Sequence, residues 1–215
     1  MALGPMVRGW MPPKIERRLA GIYRSVFVDL RKLAAVLASE LVPDAMLLDV
    51  GGGDGELLNH LLAARPDVRV TMVDVAPSVG RFIEPRYREQ VELHPSTSLE
   101  QHLVSLAPSY DAVLVSDVMH HLPAHYRKSF LQAAASTLAP GGSIFVKDLE
   151  PGHVVSWLSL LCDKYISGDR GVVLISAEEL GAVASRALPP HRLSEAGLMS
   201  ADRPNYLLRI ELSTA

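Results

Sequence analysis

Apolar residues recur at intervals of three and four from Pro13 to about Leu41. Ile15, Leu19, Ile22, Val26, Leu30, Leu33 and Leu37 follow the period of an amphipathic helix, which Gly21 is placed to split. After Pro43 the pattern changes to short apolar runs alternating with helical stretches, which predicts βαβ units around a parallel sheet. Strands are predicted at residues 46–50, 68–74, 90–93, 111–116 and 143–148, each short, apolar or β-branched and bounded by turn residues. A helix fits residues 54–64, with Leu57, Leu58, Leu61 and Leu62 on one face and Pro66 ending it. Another starts near Pro123 and stops before Ala139-Pro140-Gly141-Gly142, where proline and glycine predict a turn. Residues 153–166 read as an apolar helix, and Ser176-Ala177-Glu178-Glu179 as a capping box that opens a further one. Residues 191–196 and 205–212 are close enough in sequence to form an antiparallel strand pair. The expected fold is α/β: a doubly wound, mostly parallel seven-stranded sheet with a C-terminal antiparallel pair and an N-terminal helical extension. Residues 1–42 are expected to cap a single α/β domain of residues 43–215.

Composition narrows the partners. With 48% hydrophobic and 21% charged residues over 215 positions, the chain has the mix of an ordinary globular domain large enough to bury a core. A formal net charge of -3 lacks the basic excess that phosphate-backbone binding requires, so no nucleic-acid partner is expected. No apolar run approaches the ~18 residues of a membrane span, and the start MALGPMVRGWMPPK lacks the long apolar centre of a secretion signal. These features predict no membrane partner and a cytoplasmic protein. The single cysteine, Cys162, has no partner for an internal disulfide and is expected to be a small core residue.

The segment Leu47-Leu48-Asp49-Val50-Gly51-Gly52-Gly53-Asp54-Gly55-Glu56 is a strand running into a glycine loop and then a helix. In an open α/β sheet ligands sit beyond the carboxyl ends of the strands, and glycines there let the backbone approach a ligand without an intervening Cβ. Charge selects the ligand. A dinucleotide fingerprint starting at Gly51 needs a glycine where this chain has Glu56, with Asp54 nearby. At about 5 Å and an effective dielectric of about 20, each carboxylate facing a pyrophosphate costs roughly 3 kcal/mol, against ~1 kcal/mol of attraction from a helix terminus. An NAD-linked oxidoreductase is the weaker alternative for that reason. S-adenosylmethionine (SAM) has no phosphate and carries a sulfonium and an ammonium, which Asp49 and Asp54 attract. Asp74, at the end of the second strand and followed by Val75, is placed to accept the hydroxyls of a ribose.

The runs LLDVGGGDG, VDVAPS, YDAVLVSDVMHHLP and LAPGGSIFVKD, in this order and spacing, resemble the successive motifs of class I SAM-dependent methyltransferases of small-molecule type. The resemblance extends from about Ala45 to Glu150. It implies that Asp49, Gly51, Gly52, Gly53 and Gly55 surround the methionine moiety, that Asp74 and Val75 meet the ribose, and that the backbone around Ser116 and Asp117 lies beside the sulfonium. Many members carry an Asp after the third strand to bond the adenine amino group. Here Ser96 and Thr97 stand in that region and offer weaker acceptors.

Methyl transfer from a sulfonium needs an aligned nucleophile, plus a base where that nucleophile carries a proton. Asp117-Val118-Met119-His120-His121-Leu122-Pro123 offers two imidazoles after the fourth strand, so His120 and His121 are the candidate catalytic bases. The proline-rich turn of nucleobase and amide methyltransferases is absent there. Asp117 and Asp148 imitate part of a magnesium site, but Lys147 and Leu149 leave it short of a third ligand, so no metal is expected. A small organic acceptor is left as the methyl-accepting partner, with S-adenosylhomocysteine as the other product, and residues 15–37 and 154–166 are placed to roof the cleft. Oxygen, nitrogen and carbon nucleophiles all stay open. So do the oligomeric state, a homodimer included, and a regulatory SAM-binding protein without turnover.

Overall fold

The computed structural model describes residues 27–105, 110–162, 164, 169, 171–195 and 203–212. Helices α1 (Leu30–Glu40), α2 (Glu56–Ala64), α3 (Leu99–Ser105), α4 (Ala124–Ser136), α5 (Val154–Cys162) and α6 (Ala177–Ala187) alternate with strands. The strands are β1 (Met46–Val50), β2 (Arg69–Asp74), β3 (Val91–Pro95), β4 (Tyr110–Ser116), β5 (Leu138–Leu149), β6 (His191–Glu195) and β7 (Asn205–Leu212). They form one seven-stranded sheet in the order β3-β2-β1-β4-β5-β7-β6. Pairings from β3 to β5 are parallel, whereas β7 runs antiparallel to both β5 and β6.

The central strands are apolar almost throughout because helices cover both faces, and successive side chains go to opposite ones. Leu47, Val70, Met72, Ala112 and Leu114 join Leu33 and Leu37 of α1 and Leu58, Leu61 and Leu62 of α2 in one buried cluster. Leu48, Val50, Val73, Val113 and Val115 join Phe130 and Leu131 of α4 and Leu180 and Ala184 of α6 in the other. The order reverses between β1 and β4, so the crevice beyond their C-terminal ends is the place where such a sheet accepts a ligand.

Several elements depart from the sequence expectation. The N-terminal helical period does not continue smoothly into α1: Asp29 is extended and caps a new helix, its carboxylate accepting from the Arg31 and Lys32 N–H groups. The rest of that expected helix, residues 13–26, lies outside the described residues. Ala139-Pro140-Gly141-Gly142 does not separate two elements. Tyr110 pairs with Leu138 and Ala112 with Ser143, so these four residues bulge out of a strand that begins before them, with Gly141 at φ 82°. The short α3 and the 3₁₀ turn Pro85–Gln90 carry too little period to be read in advance. Cys162 is half-buried on α5 rather than in the core, and α5 leaves Val154, Trp157 and Leu158 exposed.

Candidate functional site

Three glycines of the loop between β1 and α2 are left-handed, Gly51 at φ 72°, Gly53 at 59° and Gly55 at 81°. A side chain at Gly51 would strike Val118, one at Gly52 the Asp49 carboxylate and one at Gly55 Ile83, whereas at Gly53 it would meet nothing closer than 4.0 Å. Three positions are therefore closed by the protein itself, and Gly53 alone faces open space. The loop is tied to its neighbours by backbone bonds from Gly51 N–H to the Val73 carbonyl (2.8 Å) and from Gly80 N–H to the Gly53 carbonyl (2.9 Å). Asp74 accepts from Gly53 N–H (3.0 Å) through one oxygen and from Ala76 N–H (2.8 Å) through the other. Each oxygen keeps a second lone pair, the requirement for holding a pair of hydroxyls. Val75 is exposed beside it. Ser96, at φ 54°, and Thr97 are drawn to the same spot by bonds from their N–H groups to the Ala76 and Asp74 carbonyls. The Thr97 hydroxyl donates to the Pro95 carbonyl. Asp49 is buried behind the loop, and burial, with the Asp74 charge adding to it, pushes its carboxyl up to about 7.

The parallel pairing of β4 with β5 stops at Ser116 opposite Lys147, and β5 runs on through Asp148 and Leu149 beside β7, so the turn after β4 meets the end of β5. Asp117 turns left-handed at φ 57° and donates its N–H to the Lys147 carbonyl (2.9 Å). The buried Lys147 ammonium lies 2.6 and 2.8 Å from the two Asp117 oxygens, while Ser116 donates its hydroxyl to Asp117 at 3.4 Å. Burial pushes the Asp117 carboxyl up, but Lys147, His120 and these hydrogen bonds hold it below its usual value. The chain then makes a 3₁₀ turn, Met119–His121. His120 is buried, its Nδ1 lies 2.6 Å from Asp148 Oδ1 and its N–H donates to Asp148 Oδ2 (3.1 Å). His121 is 36% exposed and bonds through Nδ1 to Asp169 (2.8 Å), a hydrogen bond that lowers the Asp169 carboxyl below its usual value. Arg127 fixes the turn by donating to the Met119 and Leu122 carbonyls. The contact between Gly51 and Val118 joins this turn to the glycine loop.

A family model described as a methyltransferase domain matches residues 48–144, which include the glycine loop, Asp74 and the histidine turn. Over that stretch, just under half of its length, the chain is similar to methyltransferase domains. A ubiquinone biosynthesis O-methyltransferase from Xanthomonas campestris pv. campestris is 32% identical over 139 residues, which cover 63% of this chain and 56% of the relative. The chain thus spans little more than half the length of that curated relative. The solved structure of an O-methyltransferase family protein from Burkholderia thailandensis superposes with a TM-score of 0.70 at 18% identity, over 100% of this chain and 64% of the other. The O-methyltransferase NcsB1 from neocarzinostatin biosynthesis, solved with S-adenosylhomocysteine and 1,4-dihydroxy-2-naphthoic acid, gives 0.61 at 21% identity over 83% and 52%.

The residues singled out in sequence fall into two groups that meet at one end of the sheet. Asp49, the glycines, Asp74, Val75, Ser96 and Thr97 form one; Ser116, Asp117, His120 and His121 form the other. Reading the sequence missed what holds the second group. Asp148 bonds His120 and Lys147 neutralises Asp117, and the available signal was two charged residues ending the apolar run Ser143-Ile144-Phe145-Val146. Asp117, His120 and Asp148 do offer ligand atoms within 4.8 Å of one another. The Lys147 ammonium already lies on both oxygens of Asp117, however, and Asp148 accepts from His120 and from the Leu149 N–H, so the donor set is engaged without a cation.

Proposed function

We propose that this chain transfers a methyl group from SAM to a hydroxyl of a small aromatic or quinol-like acceptor, with His120 taking the proton. SAM supplies a methyl group on a sulfonium, which makes a good leaving group. The open side of Gly53 gives the methionine moiety room against the backbone, Asp74 offers its lone pairs to the ribose, and Asp49, once a cationic ligand draws off its proton, places a negative charge behind it. Ser96 and Thr97 are the polar groups beside Asp74 on the adenine side.

The observation that carries the reading is the buried contact between His120 and Asp148. A carboxylate bound to Nδ1 keeps the proton there, so the neutral ring has its lone pair on Nε2 and is oriented to accept a proton. His121 has a similar partner in solvent, where the ring is less fixed. The names of the Xanthomonas relative and of NcsB1 support oxygen as the nucleophile. The exposed apolar side of α5, which follows the end of β5 where β7 begins to pair with it, is assigned the roof of the acceptor site.

Purified protein incubated with SAM and a panel of catechols, hydroxybenzoates and quinols should release S-adenosylhomocysteine with a hydroxylated member. SAM binding with no turnover over the panel would instead favour a regulatory SAM-binding protein, and absence of SAM binding would remove the whole reading.

A further inference from the structure

Among the described residues, the Asp148 and Asp117 carboxylates flank the His120 ring, and the Asp169 charge reaches it past His121. Asp148 holds Nδ1, and an Asp117 oxygen lies within 4.8 Å of a ring nitrogen. An opposite charge at such a distance raises the proton affinity of an imidazole, and the 42% exposure of the Asp117 side chain limits the effect to about one pH unit, so an uncompensated Asp117 would hold more of the ring protonated at neutral pH and unable to act as a base. Lys147 stands against this. Its side chain is 1% exposed, a position that excludes an ammonium unless it is paired, and its charge is directed at Asp117 alone among the described ion pairs. The other groups around the turn have their own bonds. Asp169 holds His121, whose ring centre is 4.2 Å from that of His120. Arg127 donates to the Met119, Leu122 and Val173 carbonyls, Glu150 accepts from Ala177 N–H, and the Tyr206 phenol, which burial keeps protonated, donates to the Ile175 carbonyl.

Resting on the reading of His120 as the proton acceptor, we propose that Lys147 is a positioning residue which neutralises Asp117 and so keeps His120 unprotonated and basic at neutral pH. The ammonium does not touch the acceptor in this scheme. It sets the charge that the base experiences, and Asp117 remains beside the cationic methyl donor without reaching the imidazole as a net anion.

The test is the titration of His120 by NMR in protein carrying ¹³C-labelled histidine, the His120 signal being the one lost in His120→Asn. Lys147→Met should raise the His120 midpoint by up to about one pH unit, Asp117→Asn should lower it, and Lys147→Arg should stay near the parent. The double variant Asp117→Asn with Lys147→Met should return close to the parent value, since both charges are gone. Equal midpoints in the parent, Lys147→Met and Asp117→Asn would overturn the proposal, as would a double variant that titrates like Lys147→Met. If Lys147→Met does not fold, the direction of the Asp117→Asn shift decides alone. No turnover is needed for this measurement, so a failed acceptor screen would sink the reading of function without being confused with a failure here.

Discussion

The glycine loop and the histidine turn stand side by side at one end of the sheet, yet the loop is shaped by the side chains it lacks and the turn by side chains gripping one another. Gly51, Gly52 and Gly55 are closed off by Val118, Asp49 and Ile83, so the loop's form follows from backbone freedom and close packing. The turn uses a left-handed Asp117 kept in place by Lys147, and a His120 kept in place by Asp148. On the proposed reading, donor binding depends on shape and a few carboxylates, and proton removal on a charge arrangement buried except at Asp117. Substitutions on the two sides should separate affinity from turnover.

The largest effect belongs to the turn. His120→Ala should lower turnover by about 100-fold to 10,000-fold, the range for removal of a general base, with SAM affinity nearly unchanged by titration. Unimpaired turnover would return the ring to packing and make the acceptor ionise by itself. Next comes Asp74→Ala, which should weaken SAM binding by roughly 1.5 to 3 kcal/mol, or about 10-fold to 150-fold, as the hydroxyl partners and the tie to Gly53 N–H are lost together. Equilibrium dialysis reads this directly, and an unchanged affinity would take Asp74 out of the ribose site.

Asp49 gives a smaller, pH-dependent effect. With its carboxyl raised to about 7 from 3.8, the folded chain holds a proton between these values that the unfolded chain has lost. Stability of the free protein should then fall as pH rises through that window, the reverse of the usual carboxylate contribution. A cationic ligand favours the ionised form, so SAM binding should release a proton and strengthen with rising pH up to about 7, by at most about tenfold per unit. Calorimetry in two buffers of different ionisation enthalpy measures the proton, and a flat affinity between pH 5.5 and 7.5 would separate Asp49 from the ligand. The smallest effect is expected from His121→Ala. Its ring and its Asp169 partner are both more than a third exposed, so the loss should stay within a few-fold. A loss matching that of His120→Ala would exchange the roles of the two histidines.

The same contrast explains what could be read in advance. The seven-stranded sheet, the strands at Met46–Val50 and Asn205–Leu212, and the Ser176 capping box are local patterns, and they reappear in the structure. The glycine loop and Asp74 were legible because spacing after an apolar run carries their geometry. The partners of His120 and Asp117 were not, because they come from a strand 30 positions away whose register against β4 no short-range pattern records. Proline and glycine at residues 139–142 misled for a related reason: a bulge within a paired strand and a turn between elements demand the same residue types.

Strand β7 lies between β5 and β6, although it is the last of the three to be synthesised. A growing chain that has delivered β6 has no edge on which to place it, since β6 pairs with β7 alone among the described strands. Until residues 205–212 arrive, β5 presents an open flank, and the second buried cluster lacks Tyr206, Leu208 and Ile210. Folding on the ribosome is thus expected to stay incomplete until residues 205–212 have emerged, with an exposed edge that invites chaperone capture or aggregation meanwhile. Stalled chains ending at residue 202 should be cleaved by protease in β6 and α6, and chains extended through β7 should be protected there. Equal protection at both lengths would mean that the parallel core closes without its final strand.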